Sequence, residues 1–443
     1  MVRLTLKSIA LTSWCELLQR GLTFRQGKIV SQLVSTNYIL QFINYEDIVS
    51  TKVVIFEAYS STIKVHDVPL KPLLVSLFKL IKEKVRDKPN LTVIVTHSIS
   101  VVNAFLDIYR SSAMEGSSNW LVPSLISLLN MLDAAGVEAD AQCDLTGVEE
   151  DDVGNSISNE ERFQYGALRQ TQNQQKVLNT IRQHIGKFRG DEFRQAGYIV
   201  LMSESIQLCM RLGNIQMASA FLKTVESSHL DVSKIPRAPL VTFKYFLGKL
   251  YMQQEKFQKA DEALTWSFAN CSENNKELKK HILECLAAVR LRNGKIPSNA
   301  LLKKYSLNHY ADVVQAIKTG DIRCFESTLS SKTDLFVEEG TLLCVEKLKF
   351  IVYRTLFKRI LEWAKKELYD GKIINVVPLG VFTAGFGWQI DDKFVPFDNE
   401  EMACITANLI KLRYVKGYIA WEYGKIVLSK QTPLPRLKQV QIS

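Results

Sequence analysis

The sequence predicts a mainly α protein in which antiparallel helical hairpins stack into a solenoid and a winged helix closes the C-terminal end. Three observations predict it. Apolar residues recur at helical spacing over most of the 443 residues. Two helical pairs with short turns are spelled out between Tyr198 and Phe268. The last hundred residues run helix, helix, strand, turn, strand and end in Ser429-Lys430-Gln431-Thr432-Pro433-Leu434-Pro435.

Residues 1–137 form an N-terminal helical region. Leu70 to Val85 and Trp120 to Leu132 carry helical spacing, with Pro123 near a first turn where proline is tolerated. The run Leu91-Thr92-Val93-Ile94-Val95-Thr96 suits a strand, but Val101 to Leu106 behind it suits a buried helix, and both remain open. Residues 138–161 hold nine acids and no Lys or Arg, which predicts an exposed acidic loop or linker.

Residues 162–339 read as helical repeats. Tyr198 to Arg211 pairs with Ile215 to Val225 across Gly213-Asn214. Thr242 to Tyr251 pairs with Ala260 to Phe268 across Glu255-Lys256-Phe257. Leu247, Gly248, Tyr251, Ala260 and Leu264 fall at tetratricopeptide offsets: the small residues let two helices approach and the larger ones fill the seam. Gly320 is placed to end the helix from Tyr310 to Lys318, and Asp321 to cap the next.

Residues 340–443 form the winged-helix end. Thr341 to Leu368 reads as one long helix whose buried face holds Leu343, Val345, Leu348, Ile351, Val352, Leu356, Ile360 and Trp363. Val376 to Phe386 is a short apolar segment. Glu400 to Leu412 is an amphipathic helix capped by Asp398 or Asn399. Tyr418 to Trp421 and Lys425 to Leu428 flank Glu422-Tyr423-Gly424 as a hairpin. Trp266, Trp363 and Trp421 are expected in the core.

Composition excludes little but frames the rest. Hydrophobic content of 47% and charged content of 23% are ordinary, and a net charge of +10 permits nucleic acid or acidic protein partners without selecting either. Eight cysteines without a C-x-x-C pair suggest buried free thiols in a reducing compartment. No stretch of about eighteen uninterrupted apolar residues occurs, so no membrane span is expected. Glu16 breaks the apolar stretch after Arg3 and Lys7, which argues against a signal peptide. The excess of Arg3, Lys7, Arg20, Arg25 and Lys28 over acids is shared with mitochondrial presequences, but cytosol or nucleus is the default.

Catalytic patterns are absent. There is no phosphate-binding G-x-x-x-x-G-K-[ST] loop, no H-E-x-x-H and no G-x-S-x-G, and the six histidines lack metal spacing. No enzyme activity, cofactor or metal is expected. His97 and Cys285 are expected to be packed or solvated. Charge concentrates at the end instead: residues 340–443 hold sixteen Lys or Arg against ten Asp or Glu. In a winged helix the second helix enters the groove and the hairpin is the wing, so cations here suit phosphate contact. Glu400 and Glu401 at that helix start repel phosphate, against sequence-specific readout.

Leu301-Leu302-Lys303-Lys304-Tyr305, Ala316-Ile317-Lys318-Thr319-Gly320-Asp321, Glu346 to Lys349 through Tyr353 to Lys358, and Val415 to Ile419 through Ser429-Lys430-Gln431 resemble the PCI-domain family. Within it they are similar to the branch serving the transcription and export complex 2 (TREX-2). The resemblance covers about residues 195 to 437. It implies a non-enzymatic scaffold in mRNA export at the nuclear pore, in the nucleus and also the cytoplasm. The implied partners are a larger PCI-type export scaffold subunit, which pairs winged helix with winged helix, and a small acidic subunit shared with the proteasome lid. RNA or DNA, bound non-specifically, is the third. Carried onto this chain, the nucleic acid surface is Lys358, Arg359, Lys411, Arg413, Lys416, Lys425 and Lys430. The rival assignment is a signalosome-associated, splicing-linked PCI subunit acting purely as a protein scaffold.

Overall fold

The computed structural model describes residues 10–43, 45–65, 68–111, 118–146, 171–191, 193–228, 230–369, 375–390 and 397–440. The chain gathers into two compact units, Met1–Phe243 and Lys244–Ser443.

The first unit opens with α1 (Leu11–Thr23), α2 (Gly27–Leu33), α3 (Thr36–Phe42), α4 (Tyr45–Ser50) and α5 (Val53–Ser60). A small hairpin, β1 (Lys64–Val65) and β2 (Val68–Pro69), leads into α6 (Lys71–Lys84). Next come α7 (Leu91–Arg110) and α8 (Val122–Thr146), packed on each other, with α6 also against α7. The ambiguous run at Leu91 is thus helix. Asn90 caps it, accepting the Val93 N–H at 3.2 Å, and cover from α6 and α8 overrides β-branched propensity. Leu91–Arg110 and Asn119–Gln142 are each long and apolar enough to cross a bilayer. Here Val101, Val102, Phe105, Leu125, Leu128 and Leu132 of these helices are buried in the unit's core.

The acidic segment departs from expectation at its start. Glu138 to Thr146 continues α8 as helix, while residues 147–161 lie outside the described residues. Asp140 supplies the reason. It is buried, and its carboxylate accepts the backbone N–H groups of Asn173 at 2.9 Å and Gln174 at 3.0 Å. Those are first-turn donors of α9 (Gln172–Phe188) that no intrahelical carbonyl can reach. Helix α9 lies against α8 and α10 (Gln195–Arg211), which pairs with α11 (Ile215–Glu226) across the predicted Gly213-Asn214 turn.

The unit boundary falls within α12 (Arg237–Gln253). The second unit continues through α13 (Phe257–Asn270), α14 (Lys276–Arg292), α15 (Asn299–Lys304), α16 (His309–Thr319), α17 (Ile322–Ser331), α18 (Thr333–Glu339) and α19 (Leu342–Glu346). The tetratricopeptide-like seam is present: a Cβ on Gly248 would stand 2.5 Å from Leu264 Cγ, so only glycine admits this approach. Ala260 and Leu264 are fully buried beside it. Gly320 ends α16 with φ +70°, and Asp321 then accepts the Cys324 N–H at 2.9 Å, both as the sequence predicts.

The long helix from Thr341 is instead two, α19 and α20 (Lys349–Glu367). At the junction the bonds tighten to i→i+3, Leu348 N–H to Val345 O at 2.9 Å and Ile351 N–H to Leu348 O at 2.8 Å. The tightening rotates one helix against the other, so a single 3.6-residue face does not extend through both. Val345, Leu348, Ile351 and Val352 are buried, but Leu343 is 68% exposed and Trp363 54%.

Helix α20 opens the winged helix, followed by β3 (Val376–Pro378), α21 (Leu379–Ile390), α22 (Asn399–Lys411), β4 (Gly417–Ala420) and β5 (Lys425–Leu428). The sequence showed Val376 to Phe386 only as a short apolar segment; it supplies a third strand and a further helix. The sheet is antiparallel in the order β3-β5-β4. Val377, Ile426 and Ile419 face one another on the inner side, where Val377 and Ile426 are fully buried. Beneath, Phe357 of α20 stacks on Phe382 of α21 with ring centroids 4.1 Å apart.

The segment after β5 turns back over the unit. Lys416 N–H donates to Pro433 O at 2.8 Å, the buried Arg354 of α20 donates to Pro435 O at 2.6 Å, and Leu437 rests against Gly294 beyond α14.

Candidate nucleic-acid interface

Helix α22 is fixed from both ends. Asp398 accepts the N–H groups of Glu400 and Glu401 at 2.9 Å, and Met402, Thr406 and Leu409 are buried against the core. Lys411, at its last turn, is exposed. The chain then bends through Arg413, whose φ of +59° is left-handed, a conformation costing a non-glycine residue about 1 kcal/mol. That bend buries Tyr414 and Val415 and leaves the Arg413 side chain exposed.

At the start of β4, Lys416 O accepts the Ser429 N–H at 2.9 Å, and Lys416 Nζ lies 3.5 Å from Thr432 Oγ1. Lys411, Arg413, Lys416 and Lys430 therefore belong to the end of the sheet where β4 enters and β5 leaves. Lys425 stands at the other end, opposite Ala420 on β4 and Pro378 on β3. All five are exposed. Between residues 411 and 430 they face one acid, Glu422, and among the described residues none of the five forms an ion pair. Lys358 and Arg359 are exposed on α20 but engaged there. Lys358 pairs with Glu362 at 3.4 Å, and Arg359 donates to Lys318 O at 3.4 Å.

Aromatic side chains at this surface were missed in the sequence. Tyr418 is 61% exposed, Trp421 54% and Tyr423 74%. Trp421 was expected in the core, but it opens the one-turn 3-10 segment Trp421–Tyr423 between β4 and β5, where no layer covers it among the described residues. Period-two alternation with Ile419 inward was the signal that places Tyr418 outward. Trp266, by contrast, is half-buried.

The groups first considered for catalysis are not poised for it. Burial pushes the Cys285 thiol up to about 11, and burial pulls His97 below its usual value. A thiol held so far from its thiolate is a poor nucleophile. Among the described residues no three His, Cys, Asp or Glu side chains are grouped to hold a metal.

Known proteins resemble this chain over much of its length. It is 31% identical over 250 residues to PCI domain-containing protein 2 of Danio rerio, which covers 56% of this chain and 60% of that protein. The homologue in Dictyostelium discoideum is 31% identical over 247 residues, 56% of this chain and 55% of that one. The Caenorhabditis briggsae homologue is 27% identical over 325 residues, 73% of each chain. The chain thus spans about 60% of the length of the first of these relatives. No family model matches it. Helical hairpins ending in a β3-β5-β4 winged helix accompany repeated similarity to PCI domain-containing protein 2 from animals and an amoeba, so the chain is similar to PCI-domain proteins in both fold and sequence.

Proposed function

We propose that this PCI-domain scaffold serves as a non-enzymatic subunit of a transcription-coupled nuclear mRNA export complex of the TREX-2 kind. Its winged helix pairs with that of a larger PCI-type export scaffold subunit and adds a basic surface for RNA or DNA. The small acidic subunit shared with the proteasome lid lies along the helical repeats. There, Leu283, Leu286, Ile296 and Leu301 line a pocket suited to an apolar anchor. The nucleus, at the envelope and pore, is its place, with the cytoplasm second.

The observation that carries the nucleic acid role is the run of five exposed cations from Lys411 to Lys430, without an ion pair among the described residues, against the single acid Glu422 in that stretch. Each phosphate contact releases counterions, so affinity for RNA falls steeply with salt. Lys411→Glu, Arg413→Glu and Lys416→Glu together are expected to lower RNA affinity at least tenfold and flatten the salt slope by about three, without changing the unfolding transition. Unchanged RNA affinity in that variant removes the site. The assembly is tested by purifying the tagged native protein and identifying partners by mass spectrometry. A large export scaffold with a small acidic subunit supports the export assignment. Signalosome or splicing subunits move the protein to the rival one, a pure protein scaffold.

A further inference from the structure

The outer face of the winged-helix sheet carries a feature that phosphate contact alone leaves unused. Cross-strand register puts Tyr418 directly opposite Val427, and Val427 opposite Val376. Lys425, two residues before Val427 on the same strand, shares that face. Tyr418 and Lys425 are therefore diagonal neighbours, a relation that spaces two residues roughly 7–8 Å apart and within reach of long side chains. The inner side of the same strands is closed, with Val377 and Ile426 fully buried. The outer side is open, with Tyr418, Lys425 and Val376 exposed and no layer over them among the described residues. Just past the strand ends, Trp421 and Tyr423 stand out on either side of Glu422.

Three exposed aromatic rings within six residues, beside exposed cations that form no ion pair among the described residues, suit a ligand that offers flat apolar faces strung on a polyanion. Single-stranded nucleic acid is that ligand. Its phosphates need the cations, and its unpaired bases present π-faces to the rings. A duplex offers the same phosphates but buries its base faces in the stack. Arginine and lysine alone therefore bind either form, whereas a ring platform selects the single strand. Lys425 on this face and the four cations at one end of the sheet, against the single acid Glu422 between residues 411 and 430, favour a polyanion over a protein strand. Glu422 at the tip sits between the two turn aromatics and leaves the phosphate path to Lys425 and the cations at the far end of the sheet.

We propose that Tyr418, Trp421 and Tyr423 form a base-stacking platform and that the nucleic acid partner of this winged helix is single-stranded RNA or DNA. This rests on the basic-surface assignment above and goes further by naming the strand state and the residues that read it. Affinity rather than sequence is the expected output, because every base has a face to stack.

The test uses the full chain, a labelled oligouridylate of about 12 nucleotides and an RNA duplex of equal length. The wild type is expected to bind the single strand more tightly than the duplex. Tyr418→Ala and Trp421→Ala are each expected to weaken single-strand binding about tenfold, with duplex binding and the salt slope unchanged. Tyr418→Phe and Trp421→Phe, which keep a ring, are expected to retain affinity. Tyr423→Ala is the second probe should either alanine variant unfold. If the wild type binds the single strand but the alanine variants match it, the platform is overturned and the basic surface stands. Equal affinity for duplex and single strand overturns it too. Binding of neither probe at low salt overturns both assignments. Loss of a protein partner from the alanine variants with RNA affinity intact assigns the face to protein instead.

Discussion

Glu204 lies in α10 with its carboxyl buried, beside the charge of Asp133, which is itself held by Arg211 at 2.8 Å. Burial foremost, and then Asp133, pushes that carboxyl from 4.5 up to about 7, with Arg211 opposing. The folded chain thus holds the proton more tightly than the unfolded chain does. The resulting stabilisation is complete below the unfolded value and is lost as pH rises through the folded one. Over that window the loss is about 3 kcal/mol. Glu204→Gln keeps the shape and stays neutral at every pH. Its thermal midpoint should match the wild type near pH 4 and exceed it by about 5–10 °C at pH 8; identical midpoints at pH 8 would rule this out. The sequence did not reveal this residue, because an acid on a helix reads as solvated until its neighbours are known. Asp140 went unread for the same reason. Counting acids made it part of a loop, whereas its carboxylate is the partner of two backbone donors across the fold. Trp421 failed in the opposite sense: a large apolar ring reads as core, and only the turn it occupies exposes it.

Among elements, those whose signals are local were legible: the Gly320 stop, the Asp321 cap, the α12–α13 seam and the β4–β5 hairpin. Elements that depend on distant partners were not. Three residues of β3 make no periodic pattern, and the strand exists because β5 offers it a ladder, with Val376 opposite Val427. The α19–α20 break is set by burial on two sides and leaves no glycine or proline to mark it. The seam gives an element-scale prediction with a diagnostic sign. Glycine to alanine within a helix ordinarily stabilises by about 1 kcal/mol. At Gly248 the new methyl meets Leu264, so Gly248→Ala should instead destabilise by about 1–3 kcal/mol in chemical denaturation. A gain in stability would mean the seam is looser than the geometry states.

At the scale of the whole molecule, the hairpin solenoid and the winged helix were both predicted, and the order of helices and strands in the second unit bears them out. The surface charge was also readable, since it needs only counting. What needed coordinates was the grouping. Four of the seven predicted cations belong to one end of the sheet and Lys425 to the other, while Lys358 and Arg359 are occupied on α20. The salt dependence expected of the triple charge variant and the ring dependence expected at Tyr418 and Trp421 therefore test separate parts of one proposed surface.

The return of the tail over the second unit gives that unit a direction under load. Tension applied at Val440 reaches Leu437, Pro435 and Pro433 one after another, so these contacts peel singly and at low force. Strand β5 comes next, and it lies between β3 and β4, so two ladders must slide together before it leaves. A single-molecule pull from that point is expected to record a weak early event and then a stronger one. Arg354→Ala, which removes the bond to Pro435 O, should weaken the first and spare the second; the winged helix is thus strapped on softly and held shut firmly.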